Sequence, residues 1–197
     1  MVKVKVGIID VKTVKQRENE IISLLLKEEI EKAKSYKKEG DYLLSLGGAY
    51  LRKLLTKEGE IFYGEKGKPY KAGEFFNVSH SGDFAVIAVS DKEVGVDVEK
   101  IRDIKSAVIK RAFSEKEKTF ILSPEDFYKG WTLKESLLKC IGCGLISRLN
   151  EVPSFPEGKT EYFGERFFTK SFSLKGHVFS VAVKTDEEAE TELKIID

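Results

Sequence analysis

The chain has few of the residues from which cross-links and metal sites are commonly built. It contains two cysteines, two histidines, one methionine and one tryptophan among 197 residues. Two cysteines cannot form the disulfide framework of a small secreted domain. The longest apolar run, residues 21–26, is far shorter than the roughly 20 residues of a membrane span. Residues 2–6 alternate valine and lysine instead of forming the apolar block of a signal peptide. We therefore expect a cytoplasmic protein without a membrane segment.

An excess of charge of either sign is also missing. The 34 lysines and arginines are balanced by 33 aspartates and glutamates, so the formal net charge is +1. Binding along a nucleic-acid backbone needs a basic surface that displaces counterions, and we therefore expect no nucleic-acid partner. Lysine and glutamate are abundant while Asn, Gln, Cys and Met are scarce, which is typical of thermophiles. An AT-rich genome also favours lysine, but it would favour asparagine too.

What the chain does have is enough apolar sequence for a sizeable core. Apolar residues make up 41% of it and charged residues 34%, as in soluble globular proteins. The length suits one domain, or two small halves that share a core. The hydrophobic patterns predict strands at 1–9, 161–174 and 177–184, helices at 18–39, 42–55 and 127–141, a three-strand meander at 75–79, 84–89 and 94–99, and a solvated acidic tail at 186–192.

A weak internal repeat suggests how the chain is organised. Four residues of one hairpin-like segment recur with the same spacing 94 residues later, and chance is the alternative explanation. These pairs are Ser79 and Ser173, Gly82 and Gly176, Ala88 and Ala182, and Val89 and Val183. We expect an α+β fold made of two similar halves, residues 1–100 and 101–197, related by a pseudo-two-fold axis, with the active site where they meet.

The segment 94–100, VGVDVEK, carries the first candidate site residues. Alternation in a strand puts its valines on one face and Gly95, Asp97 and Glu99 on the other. The two carboxylates are then about 6.6 Å apart along the strand. A solvated sheet face is the plain explanation. A glycine within a strand, however, often marks close approach by a ligand or another backbone.

The predicted meander brings a second group of polar residues to these acids. In an up-down-up arrangement, Ser79, His80 and Ser81 lie at the same end of the sheet as Asp97 and Glu99. The alternative explanation for His80 is that it is a buried core histidine with a purely structural role. Its neighbours in the sequence are too polar for a core, which favours a site on one edge.

The predicted helix at 127–141 carries the third candidate group. Glu135 and Lys139 are one turn apart on the same face, and Trp131 lies one turn before Glu135. Taken alone, this spacing indicates only an ordinary helix salt bridge. Cys140 and Cys143 form a CxxC pair at the end of this helix, where the helix dipole does not favour a thiolate. Without a second pair, we do not expect a zinc or redox site.

Three sequence blocks, in this order, resemble the Sfp-type 4′-phosphopantetheinyl transferases. They are GKP at 67–69 with FNVSHSG at 76–82, then VGVDVEK at 94–100, and RAFSEKE at 111–117 followed by WTLKESLLK at 131–139. The resemblance implies transfer of the phosphopantetheine arm of coenzyme A to a serine of an apo acyl, peptidyl or aryl carrier protein, with Mg²⁺ required and 3′,5′-ADP released. It also implies a pseudo-dimer of αβ halves. The chain length resembles the Sfp type, expected to be a monomer, more than the half-length type that acts as a trimer.

The same resemblance implies the residue roles. Asp97, Glu99 and Glu135 would hold the metal ion, and Glu135 would also be the general base.

The resemblance further places Ser79 and His80 at the 3′-phosphate, helped by Lys68. Lys134 and Lys139 would face the pyrophosphate. The family commonly has a basic residue early in its second helix, where this chain reads DYL at 41–43. The adenine-side contacts are therefore not predicted.

Two other functions fit parts of the sequence. A metal-dependent nuclease could use Asp97, Glu99 and Lys100, but the balanced charge disfavours it. A coenzyme A or carrier-binding module without catalysis would not need to keep all three acids.

Overall fold

The computed structural model describes residues 1–64, 67–144 and 148–197. In that part of the chain no helix has the length and apolar content needed to cross a membrane. The elements in chain order are β1 (Val2–Asp10), α1 (Val11–Gln16), α2 (Glu18–Leu24), α3 (Lys27–Lys34), α4 (Glu39–Leu55), β2 (Phe62–Tyr63), β3 (Pro69–Lys71), β4 (Glu74–Ser81), β5 (Phe84–Ser90), β6 (Val94–Lys100), α5 (Ser106–Ala112), α6 (Glu115–Lys118), α7 (Pro124–Ile141), a 3₁₀ turn (Leu149–Glu151), β7 (Gly158–Tyr162), β8 (Glu165–Leu174), β9 (His177–Lys184) and β10 (Ala189–Ile196).

These elements form two packed sheets with helices on their outer faces. The strand order is β10-β1-β5-β4-β3-β2 in the six-stranded sheet and β6-β9-β8-β7 in the four-stranded sheet. Valines of β1, β5, β6 and β9 fill the core between the sheets. Helices α1 to α4 cover the first sheet, and α7 covers the second. The fold is therefore of the expected mixed α+β class.

The two sheets contain the same order of elements. Each has a strand, then helices, then an antiparallel hairpin: β1, α1–α4 and β4–β5 in one, and β6, α5–α7 and β8–β9 in the other. The hairpins turn at Gly82 and Gly176, both with positive φ, and these glycines are one pair of the sequence repeat. Strand pairing crosses the division predicted at residue 100, because β6 lies in the second sheet and β10 in the first.

One strand prediction is wrong. The β4–β5 hairpin is present, but β6 is not the third strand of a meander, because β1 occupies the other edge of β5 and β6 pairs with β9. The acidic side chains of 186–192 are exposed, as expected for a solvated segment, but residues 189–192 also begin β10, which pairs in parallel with β1. Its ends, Ala189 and Ile196, are buried while Glu190 and Glu192 are exposed. This pattern suits an edge strand.

The predicted helices agree better with the observed ones than the predicted strands do. Helices α4 and α7 extend the predicted 42–55 and 127–141 by a few residues at their N-terminal ends, and Ser123 caps α7 by accepting a hydrogen bond from the Asp126 amide. The predicted helix 18–39 is instead the two short helices α2 and α3. The break lies at Leu25 and Leu26, which are both extended.

Gly95 sets the distance between β6 and α7. A Cβ at this position would lie 2.1 Å from the carbonyl oxygen of Ser136 and 2.3 Å from the amide nitrogen of Cys140. Both are backbone atoms of α7, so the helix lies directly on the strand. The close approach predicted at this glycine is therefore made by another backbone.

We expect Gly95→Ala to destabilise the protein by about 1–3 kcal/mol or more, the usual effect of overpacking a well-filled interior. The added methyl group can be accommodated only if α7 moves away from β6. Gly40→Ala is the matched control, because its Cβ would meet nothing within 4 Å. Urea unfolding should show a loss for Gly95→Ala and a small gain for Gly40→Ala. Equal stability of wild type and Gly95→Ala would contradict the observed contact.

Candidate active site

The site lies where the first sheet meets the edge of the second. Strand β6 is an edge strand, and side chains of β4 lie along its free side. The Ser79 hydroxyl donates to Asp97 Oδ1 at 2.9 Å, and the Ser81 hydroxyl donates to Glu99 Oε2 at 2.7 Å. The structure thus places both serines beside the two acids, although β4 and β6 belong to different sheets.

Helix α7 adds Glu135 and Lys139 to this group. Lys139 Nζ lies 2.6 Å from Asp97 Oδ1 and 2.8 Å from Ser79 Oγ. The lysine therefore pairs with the acid on β6, and in the described contacts it does not form the helix salt bridge with Glu135. Because α7 rests on Gly95, its polar face comes within reach of the acids that follow on the strand.

The ionised forms of the three acids are destabilised where they lie, unless a further positive charge is bound near them. Burial raises the pKa of Asp97, which is 4% exposed, although Lys139 opposes the shift. Burial also raises the pKa of Glu99 and of Glu135, and the charge of Asp97 adds to both shifts. Asp97 Oδ2 and Glu135 Oε1 are buried and have no hydrogen-bond partner among the residues that the structure describes. A cation bound between them would relieve both conditions.

The carboxylate oxygens are suitable ligands for a hard divalent cation, but they do not form a complete coordination shell. Within residues 1–64, 67–144 and 148–197, no group of three or more His, Cys, Asp or Glu side chains is arranged to hold a metal ion. Mg²⁺ commonly uses one or two protein carboxylates and completes its shell with water and substrate phosphate oxygens. The two unpartnered oxygens fit this use.

His80 faces a groove on the other side of β4 from Ser79, as strand alternation requires. The groove has a volume of about 580 Å³ and runs between α3, α4 and β4, with Lys32 and Arg52 on its walls. The His80 ring is exposed, yet the surrounding protein removes enough water to lower its pKa, and the charge of Lys139 adds to this effect. Ser79 therefore belongs to the acidic cluster, and the structure does not bring it together with His80.

Lys68 is not placed beside His80. Its amine donates to the carbonyl oxygen of Cys140, at the C-terminal end of α7. It lines a separate pocket of about 360 Å³ with Tyr70, Phe75 and Gly142. Burial lowers the pKa of Lys68. In this arrangement it connects the β3 segment to α7.

The prediction that Lys134 faces the pyrophosphate is wrong. Its side chain is fully buried, and Nζ lies 2.8 and 2.9 Å from the two carboxylate oxygens of Glu117. It also donates to the carbonyl oxygens of Leu149 and Val152. Successive helix residues point about 100° apart, so Lys134 faces α6 while Glu135 faces β6. Lys134 therefore has a structural role.

The remaining candidates are structural too. Cys140 and Cys143 are both free, and burial raises the pKa of the Cys140 thiol to about 12. His177 is fully buried and accepts a hydrogen bond from the Asp83 amide across 3.3 Å. This contact joins the turns of the two repeated hairpins.

Asn77 and Glu117 are two further residues with contacts near the site that were not predicted from the sequence. Asn77 Oδ1 accepts a hydrogen bond from the Val96 amide at 3.0 Å. Its signal was its spacing, because it is the third polar residue on the face of β4 that carries Ser79 and Ser81. Glu117 had a local signal in its spacing from Ser114, because Ser-x-x-Glu is typical of a capping box, and the structure forms that box at the start of α6.

Comparison with known proteins agrees with this architecture. Residues 93–183, from just before β6 to the end of β9, match the model of the 4′-phosphopantetheinyl transferase superfamily. The chain is 30% identical to 4′-phosphopantetheinyl transferase Sfp of Bacillus subtilis (strain 168), with 66% of each chain covered. It is 33% identical to 4′-phosphopantetheinyl transferase gsp of Aneurinibacillus migulanus, with 55% of this chain and 52% of the relative covered.

Eukaryotic proteins match over a shorter part. The chain is 33% identical to the human L-aminoadipate-semialdehyde dehydrogenase-phosphopantetheinyl transferase, with 50% of this chain and 42% of the relative covered. The matches to Sfp and gsp thus span between about half and two thirds of the length of these relatives. The chain belongs to the 4′-phosphopantetheinyl transferase superfamily and resembles its Sfp-type members.

Proposed function

We propose that the protein transfers 4′-phosphopantetheine from coenzyme A to a serine of an apo carrier protein, with Mg²⁺ required. The observation that carries the proposal is the cluster of Asp97, Glu99 and Glu135 at the junction of the two sheets. Two buried oxygens of this cluster have no partner in the described part of the chain. Family membership supports the same reaction. The acceptor is an acyl, peptidyl or aryl carrier protein.

The chemical step is a phosphoryl-type displacement in which one bond forms and one breaks. The serine oxygen of the carrier bonds to the phosphorus that bears pantetheine, and the bond from that phosphorus to the bridging oxygen breaks, releasing 3′,5′-ADP. Glu135 accepts the serine proton.

Charge neutralisation supplies the rest of the catalysis. Asp97, Glu99 and Glu135 are the residues that would hold Mg²⁺, which when bound neutralises charge on the phosphates. Lys139 lies against Asp97 and offsets negative charge on the departing 3′,5′-ADP. Ser79 orients Asp97 through its hydrogen bond. Lys68 and Lys134 take no part in this step, because the Lys68 amine donates to the Cys140 carbonyl and the Lys134 amine pairs with Glu117.

We place the nucleotide end of coenzyme A in the groove beside His80. The groove reaches the face of β4 opposite the acidic cluster, and Lys32 and Arg52 supply positive charge along its wall. Glu29 already pairs with Arg52, so Lys32 and His80 remain the groove residues best suited to a phosphate. The two ends of the substrate would then lie on either side of β4.

Intact-mass spectrometry of the carrier tests the function. An apo carrier incubated with the protein, coenzyme A and Mg²⁺ should gain the mass of one phosphopantetheine group. Omitting coenzyme A or adding excess EDTA should prevent the gain. Binding of coenzyme A without any mass gain would favour the non-catalytic binding module, and cleavage of DNA under the same conditions would favour the nuclease.

We also propose that the protein acts as a monomer in the cytoplasm. Strands β4 and β6 and helix α7 of one chain supply the whole acidic cluster, so a second copy is not needed to complete it. Light scattering at working concentration should give the mass of one 22.3 kDa chain. A trimer would contradict the proposal.

His80→Ala should raise the KM for coenzyme A by about ten- to a hundred-fold, the value of a hydrogen bond to a charged group. The kcat should change little, because the 3′-phosphate is remote from the reacting phosphorus. Dephospho-coenzyme A lacks that phosphate, so wild type and variant should use it equally well. If the variant still prefers coenzyme A as strongly as wild type does, His80 does not contact the 3′-phosphate.

A further inference from the structure

The free edge of β6 is held by side chains rather than by another strand. Strand β9 pairs with one edge of β6, and β4 lies along the other. On that second side, the amide of Val96 points at β4, and Asn77 Oδ1 accepts its hydrogen at 3.0 Å. The side chain of Asn77 therefore replaces the backbone carbonyl that a neighbouring strand would supply.

The other contacts between β4 and β6 act mainly on side chains. Ser79 and Ser81 bond to the carboxylates of Asp97 and Glu99, which can rotate about their own side-chain bonds. The second contact to the β6 backbone, from the Lys100 amide to Ser81 Oγ, is long at 3.4 Å. Asn77 therefore makes the shortest bond from β4 to the β6 backbone, one residue before Asp97.

We propose that Asn77 is a positioning residue for the transfer reaction, which fixes the β6 backbone so that Asp97 meets Ser79 and Lys139. The inference rests on the proposed function, since it assigns Asn77 a role in the same site. Helix α7 already fixes one face of β6 through Gly95. Asn77 fixes the edge, so the carboxylate of Asp97 is located by two contacts on different sides of the strand.

A different role for Asn77 can be separated by experiment. Asn77 also borders the groove beside His80, so a direct contact to the nucleotide is the competing explanation. Loss of a substrate contact would raise the KM for coenzyme A and leave β6 unchanged. Loss of a positioning contact would release the Val96 amide and lower kcat, because small displacements of catalytic groups reduce rates by up to about 10²-fold.

Three variants form the test. Asn77→Ala removes the acceptor. Asn77→Asp keeps an oxygen at the same place and should restore the bond. Val14→Ala is the stability control, because Val14 is buried in the core between α1 and α4, remote from β6. If Asn77→Ala does not fold, Asn77→Ser replaces it, since its hydroxyl is one bond too short to reach the Val96 amide.

The measurements are hydrogen exchange of the Val96 amide, followed by NMR, and steady-state transfer kinetics. We expect Asn77→Ala to speed Val96 exchange at least about tenfold and to lower kcat by about ten- to a hundred-fold. The KM for coenzyme A should stay within about twofold of wild type, the pattern of a contact that acts on the chemical step alone. Asn77→Asp should recover the protection of Val96 and most of kcat. Val14→Ala should lose stability without a specific change at Val96 or in kcat.

The inference is overturned if Val96 exchange is unchanged in Asn77→Ala, or if exchange rises while kcat stays at the wild-type value. A raised KM with unchanged Val96 exchange would assign Asn77 to the groove instead. Failure of the wild-type protein to modify any carrier would overturn the proposed function and, with it, the role in transfer. The exchange data would still decide whether Asn77 holds β6.

Discussion

Replacing Glu135 with glutamine is expected to lower kcat by about 10²–10⁴-fold, the usual contribution of a general base. Glutamine keeps the length of the side chain and one oxygen, so α7 and its contact with β6 should remain in place. It loses the ability to accept the serine proton. Binding of coenzyme A should fall less than kcat, because Asp97 and Glu99 still carry their charges. Transfer rates measured at saturating coenzyme A give kcat directly.

The same variant should be more stable than wild type when divalent cations are removed. Burial and the charge of Asp97 raise the pKa of Glu135 in the folded protein. A carboxyl group with a raised pKa binds its proton more tightly when folded, so its contribution to stability is lost as the pH rises through that pKa. At pH 7 this carboxyl group therefore makes the folded state less stable, and glutamine removes the effect.

Thermal unfolding at pH 7 in EDTA checks this expectation. Glu135→Gln should raise the melting temperature by a few degrees, since about 1 kcal/mol corresponds to roughly 2–4 °C in a chain of this size. Removing the charge of the exposed Glu190 should have little effect. A lower melting temperature for Glu135→Gln would show that its carboxylate is well satisfied in the folded protein, against the structure.

Magnesium and pH together separate the two roles assigned to Glu135. If Glu135 is only a metal ligand, excess Mg²⁺ should restore nearly full activity to the glutamine variant, which would rule out the base role. If it is the base, activity should recover as the pH rises, because solvent hydroxide can then deprotonate the carrier serine.

Asp97→Asn is expected to reduce transfer by at least about 10²–10³-fold, the effect of losing one preorganised electrostatic contact. Asparagine is isosteric and can still accept from Ser79, so no cavity forms in the buried site. The cluster loses a negative charge, and Lys139 loses the partner that lies 2.6 Å from its amine. Circular dichroism should show an unchanged fold.

Asp91→Asn is the matched control for this change. Asp91 is exposed in the turn that leads into β6. Its replacement by asparagine removes the same negative charge a few residues away and changes no side chain of the cluster. Its transfer rate should equal that of wild type. Near-wild-type turnover by a folded Asp97→Asn variant would remove Asp97 from the proposed metal site.

The sequence predicts which polar residues share a strand face, because strand alternation is a local property. Asp97 and Glu99 share a face of β6, and Ser79 and Ser81 share a face of β4, whichever strands these pair with. Strand pairing itself is not local. The turn at 91–93 gives no sign that β1 occupies the edge of β5, and so β6 was expected in the wrong sheet.

Lys134 shows a second limit of local patterns. Adjacent lysine and glutamate residues in a motif give no information about which one faces the strand. The helix must first be placed against β6 by Gly95, and Lys134 then points at Glu117 on α6. The acidic segment at 186–192 shows the same limit. Part of it forms β10, and β10 pairs with β1, which lies at the other end of the sequence.

The most direct test of the proposed metal site is a crystal structure of the protein with coenzyme A and Mn²⁺ in place of Mg²⁺. The anomalous scattering of manganese locates the ion independently of any assumption about its ligands. The account predicts one strong peak contacted by carboxylate oxygens of Asp97, Glu99 and Glu135 and by the pyrophosphate of coenzyme A. A manganese peak away from these three residues, with coenzyme A bound, would contradict it.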